Sequence, residues 1–351
     1  MKFKNQITQF YVRYENTYKN VIFVLFSFAL LLYLFSNNNA MNADVECCDH
    51  LFYRAQAVSW FNLKELNYLQ IPENNRLNEV YNFYFYDRRN TLTNQPPYVY
   101  RIIVPSIAGV LGKISGINLS FYIINSISLF LILYLSILIS HRLTKSFTFS
   151  LLSPLVLILI PEFFYFYIFD YMLADSLAIA VFFGVVALLV HNKYKFAFWI
   201  SALLAPLVKE TLLPLSLVVV VYMLLNNIEW KKYLFYCLIP VFGQLIIRIL
   251  FQVKDEPSFS EIYQFSSILT SPKSLADSYG LLIILFLFVY SRKTQKLFIS
   301  LVPQLIFILI TTSSDMVDGK RIWWTIAPLL ILSYCNGVDI VRRLPKTLWQ
   351  K

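Results

Sequence analysis

The chain alternates between long apolar runs and short polar, mostly basic, clusters, and it breaks this rhythm once. After the first apolar run, Val21–Ser36, the stretch from Asn37 to Arg101 is hydrophilic. Further runs then follow closely on one another. The pattern predicts spans at about 119–140, 147–169, 171–190, 196–208, 211–225, 233–251, 275–290, 297–312 and 322–341. The short run Ile102–Leu111 is too brief to cross a bilayer and reads as an interfacial or re-entrant helix. The expected architecture is an all-α polytopic membrane protein with about ten transmembrane helices and one long first outer loop. As a single membrane domain it divides into a tail (1–20), the first helix (21–36), the outer loop with its interfacial helix (37–118), nine further helices (119–341) and a second tail (342–351).

Charge fixes the expected orientation. Lys2, Lys4, Arg13 and Lys19 precede the first span, and His141-Arg142, Lys193, Lys195, Lys231-Lys232, Arg292-Lys293-Lys296 and Arg342-Arg343 occupy alternate turns. These segments hold more than half of the Lys and Arg but only three acids, Glu15, Glu229 and Asp339. With both termini cytoplasmic, every inner turn is basic, as the positive-inside rule requires. Making Ile102–Leu111 a full span would invert the later loops and break the rule. The expected location is a bacterial cytoplasmic (inner) membrane.

Composition agrees: 58% of residues are hydrophobic and 14% charged, against about a quarter charged in soluble chains. The net charge of +10 lies in membrane turns rather than in a basic domain, which argues against nucleic acid as a partner. No small-residue cleavage site follows Ser36, so the first run reads as a retained helix rather than a signal peptide. Cys237 and Cys335 lie in apolar runs and read as packing residues, and Cys47 and Cys48 are adjacent and geometrically unsuited to bridging. With three histidines and no spaced Cys/His set, no metal site is expected. The sequence requires no cofactor, and nothing in it supports a divalent cation.

In this topology the remaining charges gather on the outer side. Asp44, Glu46 and Asp49 open the long loop and Arg101 closes it. Asp175 lies near the outer start of one helix. Lys209-Glu210 forms the tip of a hairpin bounded by Pro206 and Pro214, and Arg321 leads into Trp323-Trp324. The arms of that hairpin reach only about 20–22 Å at 1.5 Å per residue, which sinks its tip below the surface of a hydrocarbon core about 30 Å thick. Ionisable groups at such depth are costly and mark functional sites. The simpler alternatives are that Lys209 and Glu210 pair with each other as a cap, that Asp175 only complements its helix dipole, and that Arg248 snorkels outward.

Clustered cations facing an outer leaflet suit an anionic lipid head group. With no nucleotide-binding domain, a polyprenyl-phosphate sugar is the economical donor. Transfer then needs a carboxylate to take the acceptor's proton and cations to stabilise the departing phosphate. Asp49 is the first choice of base and Glu46 the second, with Asp44 open. Tyr100, Arg101, Asp175, Lys209, Glu210, Arg248 and Arg321 are the candidate substrate-binding residues.

The order of Asp49-His-Leu-Phe-Tyr53-Arg-Ala-Gln-Ala57, Pro97-Tyr-Val-Tyr100-Arg101-Ile-Ile-Val-Pro105, Ala174-Asp175-Ser176, Lys209-Glu210 and Arg321 with Pro328 resembles the GT-C superfamily of integral-membrane glycosyltransferases. The resemblance implies a GT-C-like fold, an acidic catalytic residue in the first outer loop, and glycosyl transfer from a polyprenyl-linked donor to a glycan or lipid acceptor in surface polysaccharide or glycolipid synthesis. The chain departs from that pattern in lacking a large C-terminal outer domain and an adjacent acidic pair in the loop. Alternatives are a polysaccharide polymerase of O-antigen or capsule type, a lipid-linked sugar flippase or transporter, and a membrane acyltransferase built on His50.

Overall fold

The computed structural model describes residues 2–36, 53, 56, 57, 61, 101–159, 168, 174–251, 294–311 and 327–343. Among these, all regular structure is helical. α1 is Lys2–Ser36, α2 Ile103–Ser115, α3 Ile117–Thr144, α4 Phe147–Ile158 and α5 Asp175–Val190. α6 (Tyr194–Trp199) runs through a π turn, Ile200–Leu204, into α7 (Ala205–Val208). A 3₁₀ turn, Glu210–Leu212, precedes α8 (Leu215–Leu225). α9 is Lys231–Tyr236, α10 Leu238–Phe251, α11 Gln295–Thr311 and α12 Ala327–Arg343.

Among the described residues, two segments are long and apolar enough to cross a membrane, Thr17–Ser36 and Ile117–Thr144, and six further apolar helices are shorter. The expected span at 275–290, most of the C-terminal part of that at 147–169 and the first residues of that at 322–341 lie outside the described residues.

α3 is the hub, packed by α1, α2, α4, α5 and α12. Its sequence explains why. Ser120, Ile124, Ser128, Ile132, Ser136, Ser140 and Thr144 recur every four residues and are all buried, a stripe of alternating small and branched side chains along one face. All of these hydroxyls but that of Ser140 turn back on their own helix: Ser120 donates to Gly116 O at 2.7 Å, Ser128 to Ile124 O at 2.8 Å, Ser136 to Leu133 O at 2.7 Å and Thr144 to Ser140 O at 2.8 Å. Small self-satisfied residues let neighbouring helices approach closely. α5 supplies the complement, with Ala178, Ile179, Phe182, Phe183, Val185 and Val186 all buried in the same core.

Three departures from the expected elements have local causes. The polar tail before the first span is helical from Lys2 onward; no Gly or Pro precedes Ser36, so a helix nucleated in the span propagates backward at little cost. The expected span 233–251 divides at Cys237, because Pro240 has no N–H to return to the carbonyl four residues earlier. α2 runs longer than the ten-residue apolar run. It packs against the start of α3, with Val104 and Ala108 in one buried cluster with Ile117, Phe121 and Ile124. The joint is Gly116 at φ 81°, a conformation that favours glycine.

α6 through α8 form a hairpin rather than a continuous rod. Tyr194, at the start, and Tyr222, near the end, place their rings 6.0 Å apart. Lys145, Asn192 and Asn227 end α3, α5 and α8 in the left-handed region, at φ 53°, 62° and 55°, and all three stops fall at the basic turns.

Candidate functional site

The tip of this hairpin is where the chain breaks its own helix. Pro206 lacks an N–H, and the turn before it is a π turn whose register absorbs the missing bond. α7 then stops at Lys209, whose backbone is fully extended at φ −157°, ψ 134°. An extended residue sends its side chain away from the side its successor takes. Lys209 and Glu210 therefore face different neighbours and do not form the adjacent pair that would merely cap the hairpin.

The Lys209 ammonium donates to the Asp175 carboxylate, the two side chains being only 6% and 3% exposed. Asp175 is the first residue of α5, so it has both a cation and a helix N-terminus to stabilise its charge. The pairing follows from length. α5 has 16 residues and the arm Tyr194–Val208 has 15. Both measure from the turn at 191–193, so at 1.5 Å per residue their far ends stand about 24 and 22 Å away, at matching heights.

Glu210 turns the other way, to Arg101 just before α2. The guanidinium grips it with two bonds, Nε to Oε2 at 2.8 Å and Nη2 to Oε1. A planar fork on a carboxylate is the strongest common geometry for such a pair. The remaining nitrogen, Nη1, donates to the Tyr53 hydroxyl at 2.6 Å. Burial holds the Tyr53 phenol well above the usual tyrosine range, with Arg101 pulling the other way; the ring stays a neutral phenol. Burial works against the Arg101 charge, but the groups around it, Glu210 first, together outweigh burial and keep the guanidinium ionised.

Tyr53 comes from the long first loop. With Gln56, Ala57 and Phe61 it is helical, and all four side chains are buried or nearly so. Positions 53, 57 and 61 recur at four-residue intervals, one face of a helix. Tyr53 and Ala57 join the cluster of Val104, Ala108, Phe121 and Ala174, and Phe61 packs on its margin. Gly109 is small because the Phe61 ring lies against it: a β-carbon there would stand 2.2 Å from Phe61 Cδ2.

Four distant segments thus bring together Tyr53, Arg101, Asp175, Lys209 and Glu210. The charges alternate, two cations and two carboxylates. Four of the expected substrate-binding residues, Arg101, Asp175, Lys209 and Glu210, are gathered here. Asp44, Glu46 and Asp49, His50, Tyr100 and Arg321 lie outside the described residues. Arg248 is placed on α10 by its backbone, and its side chain lies outside the described set. No group of three or more His, Cys, Asp or Glu that could hold a metal occurs among the described residues.

Two residues that sequence reasoning passed over also reach the tip. Gln244 of α10 donates to Pro206 O at 2.7 Å, and Gln304 of α11 donates to Thr211 O at 2.6 Å. The signal was present in both cases: a lone amide in an apolar run, following Gly243 and Pro303 respectively, is a polar group that a membrane helix retains only with a partner. The chain matches no protein-family model, no curated protein and no solved structure.

Proposed function

We propose that the chain is a multi-pass membrane glycosyltransferase of GT-C-like fold. It moves a sugar from a polyprenyl-phosphate donor to a glycan or lipid acceptor at the outer face of a bacterial cytoplasmic membrane, in surface polysaccharide or glycolipid synthesis. The observation that carries this reading is the convergence of Arg101, Lys209, Asp175, Glu210 and Tyr53 at one level of the bundle. With the basic turns in the cytoplasm, that level is about 22–24 Å from the inner ends of α5 and the hairpin, some 6–8 Å below the outer edge of a core about 30 Å thick. Lipid phosphates lie in the head-group layer just outside that core, so a donor phosphate would be drawn inward to reach the two cations. Arg101 supplies a planar fork and Lys209 a point charge, the two kinds of cation that bind phosphate oxygens. Asp49, or else Glu46, remains the proposed base.

A lipid-linked sugar flippase is the reading that the interrupted hairpin favours, since broken helices line the sites of many transporters. Transport would call for charged groups along the whole depth of the bundle. The two buried ion pairs among the described residues lie instead at one level, and the third, Lys232 with Glu229, is exposed at the opposite, basic end.

The test uses the whole protein in liposomes with a polyprenyl-phosphate sugar, and polyprenyl phosphate alone as the binding probe. Arg101→Gln and Lys209→Gln are expected to weaken binding of the phosphate probe by at least tenfold, the equivalent of one charge-assisted hydrogen bond. Asp49→Asn is expected to abolish transfer while leaving that binding intact. Full binding by both cation variants would remove the phosphate site, and full transfer by Asp49→Asn and Glu46→Gln would remove the proposed base.

A further inference from the structure

The hairpin tip lacks two backbone donors, and two glutamines replace them. In the 3₁₀ turn Leu212 N donates to Lys209 O and Leu213 N to Glu210 O, each at 3.0 Å. The next donor in this series is residue 214, a proline with no N–H. The carbonyl it would have served, Thr211 O, receives the Gln304 amide instead. On the other side Lys209 N closes the last bond of α7 on Ala205 O at 3.1 Å. The next bond would come from Glu210 to Pro206 O, but the extended backbone of Lys209 turns that N–H out of line. Pro206 O receives the Gln244 amide. A backbone carbonyl can only accept, so both amides must present nitrogen to it, and their orientation is fixed by chemistry.

We propose that Gln244 and Gln304 are positioning residues that stand in for these two missing donors and so set the directions in which Lys209 and Glu210 face. Packing does not account for them. Both side chains are buried, and the Oε1 atom of each has no hydrogen-bond partner among the described residues. A leucine or methionine would fill the same space without burying that oxygen. What only glutamine supplies is a donor on a long stem, and the two donors fall on either side of the two charged residues. The inference rests on the reading of the tip as part of the substrate site, and it can be separated from that reading.

The experiment is amide hydrogen exchange on the full chain in lipid nanodiscs, with binding of polyprenyl phosphate measured on the same samples. Gln304→Leu is expected to raise exchange in residues 209–213 by roughly tenfold, the effect of one lost hydrogen bond, with α3 unchanged. Adding Pro214→Ala, which returns an N–H to the series, is expected to restore protection. Gln244→Leu is expected to act on 206–210, with no rescue by Pro214→Ala. Gln304→Met serves if the leucine variant fails to insert. A rise spread evenly over all helices, an unchanged tip, or a Gln304 variant that Pro214→Ala leaves unprotected would overturn the proposal. Local loss and rescue accompanied by unaltered phosphate binding would uphold the positioning role and remove the glycosyl-transfer reading.

Discussion

Removing one member of the Lys209–Asp175 pair leaves its partner charged and buried. Breaking a buried ion pair from one side costs about 3–5 kcal/mol, whereas replacing both members with apolar residues of similar size is commonly neutral. The two single losses should not be equal. Lys209→Met leaves a carboxylate at the first residue of α5, where the helix dipole returns about 0.3–1 kcal/mol. Asp175→Asn leaves an ammonium on an extended residue with no such compensation. The expected order is therefore Asp175→Asn more destabilised than Lys209→Met by roughly 0.5–1 kcal/mol, and Lys209→Met/Asp175→Leu within about 1 kcal/mol of the parent. At roughly 2 °C per kcal/mol for a chain of this length, Asp175→Asn should lower Tm by on the order of 5–10 °C. Heating the purified protein while following tryptophan fluorescence measures these variants, and Asp175→Leu alone closes the cycle with Lys209→Met and the double variant. If the single losses add in the double variant, the two groups are not a buried pair and the geometry of the site is wrong. The same double variant separates stability from function. It should fold normally and bind lipid phosphate at least tenfold more weakly, because one of the two cations has gone. A double variant that binds as the parent does would make the pair purely structural.

Two further substitutions probe how the first loop is held. Gly109→Ala pushes a methyl group into the Phe61 ring, which overpacks the contact by about 1–3 kcal/mol; limited proteolysis of the loop at residues 53–61 should quicken, while the α3–α5 core stays protected. Tyr53→Phe removes only the hydroxyl that receives Arg101, a bond to a charged group worth about 1.5–3 kcal/mol. It should lower Tm with no change in helical circular dichroism, and an unchanged Tm would mean that the Tyr53 bond does not help to hold Arg101.

What could be read from the sequence follows the range of the interactions involved. Helix positions were legible because apolar periodicity and basic turns are local: the spans expected at 119–140 and 171–190 correspond to α3, Ile117–Thr144, and α5, whose described part is Asp175–Val190. The tip between Pro206 and Pro214 was legible too, because prolines and charges in a short apolar hairpin have few other uses. Partner choice was not. Lys209 and Glu210 are neighbours in sequence, and their separation depends on one extended residue. The groups they bind are 34 and 109 positions away, and Gln304 meets Thr211 across 93. Such contacts are set by how helices dock, and spacing along the chain carries no record of them. The proposed base, Asp49, and the third cation, Arg321, lie outside the described residues, so the site is built here from its hairpin wall.

The alternation of charge in that wall bears on how an anionic donor would enter. Among the described residues the two cations and two carboxylates sum to zero, so the group avoids the large penalty of an isolated buried charge. A phosphate arriving without any other change would leave the site with surplus negative charge in a poor dielectric. It must therefore take over a cation that a carboxylate already holds. Arg101 is the one suited to exchange, because its fork fits a carboxylate and a phosphate equally well, and its partner Glu210, at 16% exposure, is the most accessible of the four side chains. Lys209 and Asp175 are far less accessible. On this reasoning Glu210→Gln, which keeps the shape and removes the competing charge, should strengthen binding of polyprenyl phosphate. Asp175→Asn should strengthen it less, because Lys209 is the less accessible of the two cations. Weaker binding by Glu210→Gln would show that the carboxylate serves only to hold Arg101 in place.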